Sequence, residues 1–482
     1  MTGNAELVAT ISIASDATVR DTLETIDRGG LGTALLVGRD DGRFAGIVTD
    51  GDIRRALLAG MTLDARVAEV PRPKPSVGRV GMTTEQVAAV FSEHVRVVPL
   101  LDDDDRVADL AVFDSRARLP VAEPFLGELE LRYVSECVLS GWVSSAGPFV
   151  RRFEDVFAAF CGSRHAVATS NGTTALHLVL AAIGVGPGDE VVVPTLTFVA
   201  TANAVTYTGA RPVLVDSERS TWNIDPEQVA AAITPRTKAI VPVHLYGHPA
   251  EMDALRGTAR AHGLTVVEDA AEAHGARYRG QPVGSIGDAG IFSFYGNKIV
   301  TTGEGGMVVT DDDALAERLR MLRDHGAAPG RRYHHPVVGF NYRLTNLQAA
   351  LGVAQMERLD EILAAKRRIA DRYRTALEGV PGITLPPQQP WAHNVHWLYS
   401  ILVSEDVFGL SRDELTDRLD AAGVETRPVF PPLHTQPPYA AGGGSYPVAE
   451  ELAGRGLSLP SAVGLRDDEI DRVAGLIARA GR

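Results

Sequence analysis

Between Ala166 and Phe294 the chain repeats one arrangement: a short apolar run, a small or polar turn, then in most cases a helical stretch. The apolar runs are Ala166–Thr169, Glu190–Val193, Pro212–Asp216, AIVPV ending at Val243, TVVED ending at Asp269, and Gly290–Phe294. Helical patterns at Thr173–Ile183 and Asp253–His262 are among those that separate them. Apolar strands alternating with helices demand a mostly parallel sheet covered by helices on both faces. Such a sheet presents its ligands at the carboxyl ends of its strands. The stretch Leu344–Leu377 reads as one continuous helix, with Leu347, Leu351 and Met356 among its apolar positions and no proline inside. After Pro381, strand and helix alternate again through WLYSILV and SRDELTDRLDAAG to a helix at Asp467–Ala480. This predicts a smaller C-terminal α+β lobe.

The first part of the chain has a different rhythm. A helix at Val19–Ile26 leads to a strand at Thr33–Val37, a turn at Asp41-Gly42, a strand at Ala45–Val48 and a helix at Asp52–Leu58. A weaker copy follows: helix Thr84–Phe91, strand Val95–Leu100, acidic turn Asp102–Asp105, strand Val107–Phe113. Two similar units in tandem predict an internal duplication. Four adjacent carboxylates cannot all face one ion, so Asp102–Asp105 reads as a solvated turn. RLPVAEPFLGE, residues 118–128, reads as a connector. The expected organisation is therefore a tandem module over 1–117, a large domain over 118–380 and a small domain over 381–482.

Charge and cysteine usage exclude several function classes. With 61 acidic against 47 basic residues and a net charge of −14, nucleic-acid binding by the whole surface is disfavoured. Cys137 and Cys161 form no CxxC pair and no Cys/His cluster, so neither a disulfide scaffold nor a metal site is expected. No basic start with an apolar run opens the chain, and no run of about 18 apolar residues occurs, so the expectation is a cytoplasmic protein without membrane contact.

Three places in the large domain carry chemistry. Ser170-Asn171-Gly172-Thr173-Thr174 lies between the strand AVAT and the helix ALHLVLAAI, putting N–H groups and hydroxyls at a helix start, where an anion is favoured. The same residues also suit a plain N-cap. Asp269 closes an apolar strand in LTVVEDAAEAHGA, although its neighbour Glu268 has an equal claim to be the buried acid. Lys298 follows an apolar strand and precedes the loop of Gly303, Gly305 and Gly306, with Ser293 a further anion ligand. A phosphate cradle, a strand-end carboxylate and a lysine amine match the demands of pyridoxal phosphate for its phosphate, its ring nitrogen and its aldehyde.

These segments resemble the DegT/DnrJ/EryC1/StrS sugar aminotransferases, of fold type I among pyridoxal-phosphate-dependent transferases. The resemblance runs from about Leu119 to the C-terminus through GWVSSAGPFVRRFE, SNGTTALHL, PTLTFVATANAV, EDAAEAHGA, FSFYGNKIVTTGEGGMV and GFNYRLTNLQAALG. It implies that Lys298 forms the Schiff base with the cofactor and shuttles a proton, that Asp269 pairs with the pyridine nitrogen and that Phe198 stacks on the ring. Gly172, Thr173, Thr174 and Ser293 then match phosphate ligands, and Glu272 stands near the phenolic oxygen. Asn341 matches a residue that reaches the phosphate from a neighbouring subunit, implying a homodimer or higher oligomer with shared active sites. Some relatives that act as dehydratases carry histidine where this chain has Lys298, which speaks against dehydration.

Within the family, VPTLTF, VHLYG, ETRPVFPPLHTQPPY and YPVAEELAGRGLSLPS resemble enzymes that move an amino group from L-glutamate to C4 of GDP-4-keto-6-deoxymannose. A UDP- or dTDP-linked keto sugar, a keto-cyclitol, or a non-catalytic ligand-sensing role are the alternatives. Arg427 and His434 are candidates for sugar contacts. GRFAGIVTDGDIRRAL resembles the signature of a CBS domain, in which Thr49 and Asp52 match contacts to an adenine nucleotide; VADLAVFDSRARL, in the second copy, has no matching pair. A regulatory nucleotide site and a packing module without a ligand are both compatible with this pattern.

Overall fold

A computed structural model describes residues 4–83, 86–87, 89–91, 95, 97–112, 118–328, 330–440 and 443–481. The chain divides into two compact units, Met1–Ala117 and Arg118–Arg482. No helix among the described residues is long and apolar enough to cross a membrane.

The first unit holds two three-stranded sheets of the same design. In one, β1 (Ser12–Ala14) runs parallel to β2 (Thr33–Val37), which is antiparallel to β3 (Phe44–Thr49). In the other, β4 (Gly78–Arg79) runs parallel to β5 (Val97–Leu101), which is antiparallel to β6 (Val107–Val112). Even the register shift recurs, between Leu36 and Val37 in one and Leu100 and Leu101 in the other. The tandem pattern is thus a structural repeat. Part of the expected helix Thr84–Phe91, namely Thr84, Glu85 and Ala88, lies outside the described residues, as do Arg96 and Phe113 of the two expected strands.

The second unit is built on seven strands: β7 (His165–Thr169), β8 (Glu190–Pro194), β9 (Arg211–Val215), β10 (Thr237–Ile240), β11 (Thr265–Asp269) and, after the short hairpin β12 (Arg277–Tyr278) and β13 (Gln281–Pro282), β14 (Ala289–Ser293) and β15 (Gly306–Thr310). Their order is β7-β15-β14-β11-β10-β8-β9. Only β15 runs against the others. One large apolar core lies on each face: Phe153, Phe157, Phe292 and Phe294 contribute to one, and Leu176, Leu178, Val179 and Leu180 to the other. The C-terminal part adds β16 (Ile383–Thr384), β17 (Ala392–His393), β18 (Tyr399–Val403), β19 (Arg427–Pro428) and β20 (Gly456–Leu459). Of these β16-β18-β20-β19 form an antiparallel sheet, and β17 joins the hairpin. Helices Arg412–Ala421 and Asp467–Ala480 share an apolar core with this sheet. That core also takes in Leu119 and, from before Pro381, Ile369, Tyr373 and Leu377.

Two expectations need correction. The helix expected over Leu344–Leu377 is two helices, Asn346–Glu357 and Leu359–Leu377, because Arg358 has φ −107° and ψ 6°. Its guanidinium is held by Glu130 at 3.1 Å and lies over the Phe125 ring, contacts that anchor the break. The stretch after Gly303 is not only a loop: Gly306–Thr310 is the reversed strand, and glycine is required at 306 because a Cβ there would lie 2.3 Å from the Asn171 carbonyl oxygen.

Candidate active site

A cavity of about 660 Å³ opens at the carboxyl ends of the parallel strands. Gly172, Thr173, Thr174, Phe198, Asp269, Glu272, Ser293 and Lys298 all line it. They come from four strand ends spread over more than a hundred residues of chain, which the sheet brings together.

At the end of β7 the helix Gly172–Ala182 begins. Asn171 caps it, accepting from Thr174 N at 2.9 Å, while Thr174 Oγ1 accepts from Asn171 N at 3.1 Å. The hydroxyl of Thr174 is therefore spent on the cap, donating to Asn171 O at 2.8 Å. The first-turn N–H groups of Gly172 and Thr173 have no acceptor within the helix and remain for an anion. Cap and anion site are thus the same feature. Ser293, at the end of β14, presses on this turn: a Cβ on Gly172 would meet Ser293 Cβ at 2.8 Å.

β11 settles which of its two acids faces the cavity. Neighbouring strand residues point to opposite faces. Glu268 is fully buried and accepts from Gly284 N (2.7 Å), Ile286 N (2.7 Å) and Gly287 N (2.6 Å), with His244 Nε2 at 2.9 Å. It is a clamp for the 284–287 turn and does not line the cavity. Asp269 does, accepting from Thr201 Oγ1 at 2.9 Å and Ala271 N at 3.2 Å. Burial pushes its carboxyl above the usual range, opposed by the bond from Thr201. A cationic N–H in the cavity would relieve that cost, as a protonated pyridine nitrogen does.

Lys298 sits in a tight turn, its N donating to Tyr295 O at 2.9 Å. Its Nζ lies 3.6 Å from Glu272 Oε1 and 3.7 Å from the centroid of the Trp397 ring. Burial lowers the amine's affinity for a proton, and Glu272 and Asp269 act the other way. Glu272 Oε2 accepts from Tyr246 N at 2.8 Å, and Tyr246 itself holds φ +52°, a strained backbone for a tyrosine. Phe198 lines the outer part of the cavity against Phe430, their centroids 5.7 Å apart, and remains half exposed. Phosphate donors, a buried carboxylate and a desolvated amine thus meet in one cavity, and they fit pyridoxal phosphate.

The remaining candidates fall differently. Asn341 does not line the cavity of its own chain; its Oδ1 accepts from Arg343. Arg427 lines the cavity rim, held at 3.2 Å by Glu425. His434 lies outside the lining, between Thr195 Oγ1 (2.8 Å) and Glu450 Oε1 (3.1 Å) and stacked on Tyr446. Sequence reasoning missed Trp397 and Tyr246, whose rings stack 6.0 Å apart at 12°. In the first unit, Thr49 and Asp52 close on each other at the start of helix Asp50–Leu58: Asp52 Oδ2 accepts from Thr49 N (3.0 Å) and Oγ1 (2.7 Å), and Arg55 pairs with Oδ1 at 2.6 Å.

The profile of the DegT/DnrJ/EryC1/StrS aminotransferase family matches residues 124–478, and that of the CBS domain matches residues 7–59. The GDP-perosamine synthase of Caulobacter vibrioides is 52% identical over 358 residues, 74% of this chain and 96% of the relative. A structure of DesI in the presence of its TDP-sugar product superposes with TM-score 0.72 at 39% identity, covering 76% of this chain and 93% of the other. The PLP form of the sugar aminotransferase Spr1654 from Streptococcus pneumoniae does so with TM-score 0.71 at 28% identity, covering 76% and 98%.

Proposed function

This chain belongs to the DegT/DnrJ/EryC1/StrS aminotransferase family, whose members use pyridoxal phosphate, and from that premise we propose that it moves an amino group from L-glutamate to GDP-4-keto-6-deoxymannose. The observation that carries the choice of acceptor is the 52% identity to a GDP-perosamine synthase across nearly the whole of that relative.

Bound in the cavity, pyridoxal phosphate supplies an electron sink for negative charge developing beside the transferred nitrogen. Lys298 Nζ would hold the cofactor aldehyde and would be the group that takes up and returns a proton; its desolvation favours the neutral amine that can accept one. Asp269 would pair with the ring nitrogen and favour its protonated form. The N–H groups of Gly172 and Thr173, with Ser293, would hold the phosphate, while Thr174 keeps the turn in shape. Phe198 would cover the ring, and Glu272 would serve its phenolic oxygen. Asn341 serves the cavity of a second copy, so the active form is a homodimer or larger. Arg427, at the rim, meets the sugar nucleotide. For the first unit, Thr49 and Asp52 mark an adenine-nucleotide site, a reading supported by the CBS match; calorimetric titration with AMP and ATP, lost in Asp52→Asn, tests it.

The main test is visible absorbance of the protein with pyridoxal phosphate, before and after L-glutamate and then the keto sugar. Glutamate is expected to remove the band of the bound aldehyde form and GDP-4-keto-6-deoxymannose to restore it, as two half-reactions through one lysine require. Restoration by a dTDP-linked keto sugar alone would favour the second reading, suggested by the DesI structure with a TDP-sugar. No response to glutamate would overturn the proposal.

A further inference from the structure

Lys74, Lys238, Lys298 and Lys366 are the only lysines in a sequence with 47 basic residues, the rest being arginine. Lys74 and Lys238 are exposed. The other two are withdrawn from solvent, with side-chain exposure of 11% for Lys298 and residue exposure of 5% for Lys366. Both end on the same residue. Lys298 Nζ lies 3.7 Å from the centroid of the Trp397 ring, and Lys366 Nζ donates to Trp397 O at 2.7 Å and to Ser461 O at 2.6 Å.

Trp397 is held at every polar atom. Its Nε1 donates to Asn297 O at 2.7 Å, its backbone N to Tyr246 O at 3.0 Å, and its carbonyl accepts from Lys366. The ring is stacked on Tyr246, which is stacked in turn on Phe430. Such an indole cannot move aside without breaking contacts on both lobes of the unit. Among the described residues Lys366 Nζ donates to two carbonyl oxygens alone, and burial lowers it to about 7.

Besides the indole, Glu272 Oε1 stands 3.6 Å from Lys298 Nζ. The geometry points to Trp397 and Glu272 as a seat for the free amine of Lys298, which keeps Nζ beside the cavity whenever it is not bonded to the cofactor, with Lys366 as the positioning residue that fixes the indole. The inference rests on Lys298 being the reacting amine. An ammonium over an indole face is attracted by the ring quadrupole, more strongly where water is excluded. Of the titratable groups that face Nζ, Glu272 and Asp269 favour its charged form, while His274, lowered to about 3 by burial and then by Lys298, is neutral where the amine titrates. Losing the ring face takes away that attraction, and because burial is the largest cause lowering the amine, the replacement at 397 must itself be apolar for the loss to be read.

The scarcity of lysine makes the test direct. Protein labelled with 13Cε-lysine and loaded with pyridoxamine 5′-phosphate leaves Lys298 unbonded, and its Cε shift against pH gives the amine's titration midpoint, with Lys74→Arg and Lys238→Arg assigning the surface signals. Trp397→Leu is expected to lower the midpoint by about 0.4–1.5 units, the strength of a cation–π contact expressed as a pKa change. Trp397→Phe, which keeps a weaker ring face, should lower it less, and serves if the leucine variant does not fold. Lys366→Met should shift it in the same direction. An unchanged or raised midpoint in both Trp397 variants overturns the seat; an unchanged midpoint in Lys366→Met removes Lys366 from it. Where the midpoint does not fall but the glutamate half-reaction persists, the proposed function stands and the seat alone is lost.

Discussion

Glu268 and Asp269 are adjacent, buried and both acidic, yet the structure assigns them opposite tasks, and a pair of isosteric substitutions separates these. In Glu268→Gln each carboxylate oxygen that now serves two donors is at issue, because one of them becomes an NH₂ group facing N–H groups or the His244 ring. At least two buried donors lose their acceptor. Breaking a buried charged network in this way costs about 3–5 kcal/mol. For a unit the size of Arg118–Arg482, unfolding entropy is roughly 0.8 kcal/mol per degree, so the melting temperature should fall by about 4–7 °C.

Asp269→Asn should do the reverse. The amide oxygen keeps the bond from Ala271 N, and the hydroxyl of Thr201, which also meets Thr197 Oγ1 at 3.0 Å, can turn to accept from the new NH₂. Because burial raises the carboxyl's pKa in the folded state, the folded form binds more protons than the unfolded one, and stability falls as pH rises through that range. Removing the charge removes this cost. The cofactor-free variant should melt at or above the wild type at neutral pH, while losing much of the temperature gain on adding pyridoxal phosphate and roughly two orders of magnitude in turnover. The assay is a pair of thermal melts, without and with cofactor, at one scan rate. If Glu268→Gln melts like the wild type while Asp269→Asn loses several degrees without cofactor, the assignment is reversed.

Lys298→Ala should abolish turnover and the visible band of bound aldehyde while leaving the circular dichroism spectrum unchanged; measurable transamination at the normal rate would remove Lys298 from the mechanism. Gly172→Ala should weaken cofactor binding by roughly five- to 150-fold, the effect of about 1–3 kcal/mol of overpacking against Ser293, read by equilibrium titration of absorbance. Glu190, held by Arg211, Arg236 and Thr234, has its carboxyl lowered to about 2, with the Thr234 hydroxyl the largest cause. Its contribution is present above the ordinary value of 4.5 and lost as pH falls through about 2, so Glu190→Gln should flatten acid unfolding in that window, measured by fluorescence.

What the sequence made legible was chemistry at strand ends. Lys298, Asp269 and the Gly172 turn were picked out by the ordered family-like segments that contain them; taken singly, the turn also suits a plain N-cap and Asp269 shares its claim with Glu268. Residue type alone did not separate Glu268 from Asp269, since both fit a strand end; the family resemblance picked Asp269, and the physical reason lies in the backbone of residues 284–287 closing on Glu268, a contact outside β11. Strand β15 was hidden by the glycines before it and by its pairing with β7, far earlier in the chain. The break at Arg358 escaped a pattern read for apolar spacing because its cause is Glu130 and Phe125, more than two hundred residues away.

Trp397 shows where such reading stops. Nothing local marks it, because WLYSILV is ordinary strand sequence and its indole meets Lys298 only through the tertiary fold. The informative feature was global: a chain that uses arginine for nearly all its positive charge and withdraws two of its four lysines from solvent. Lysine can be carried into a protein interior and made to share or release its proton; arginine effectively cannot. A buried lysine in such a chain is therefore a place to look for chemistry or for what supports it, and here the second one leads, through a single carbonyl, back to the first.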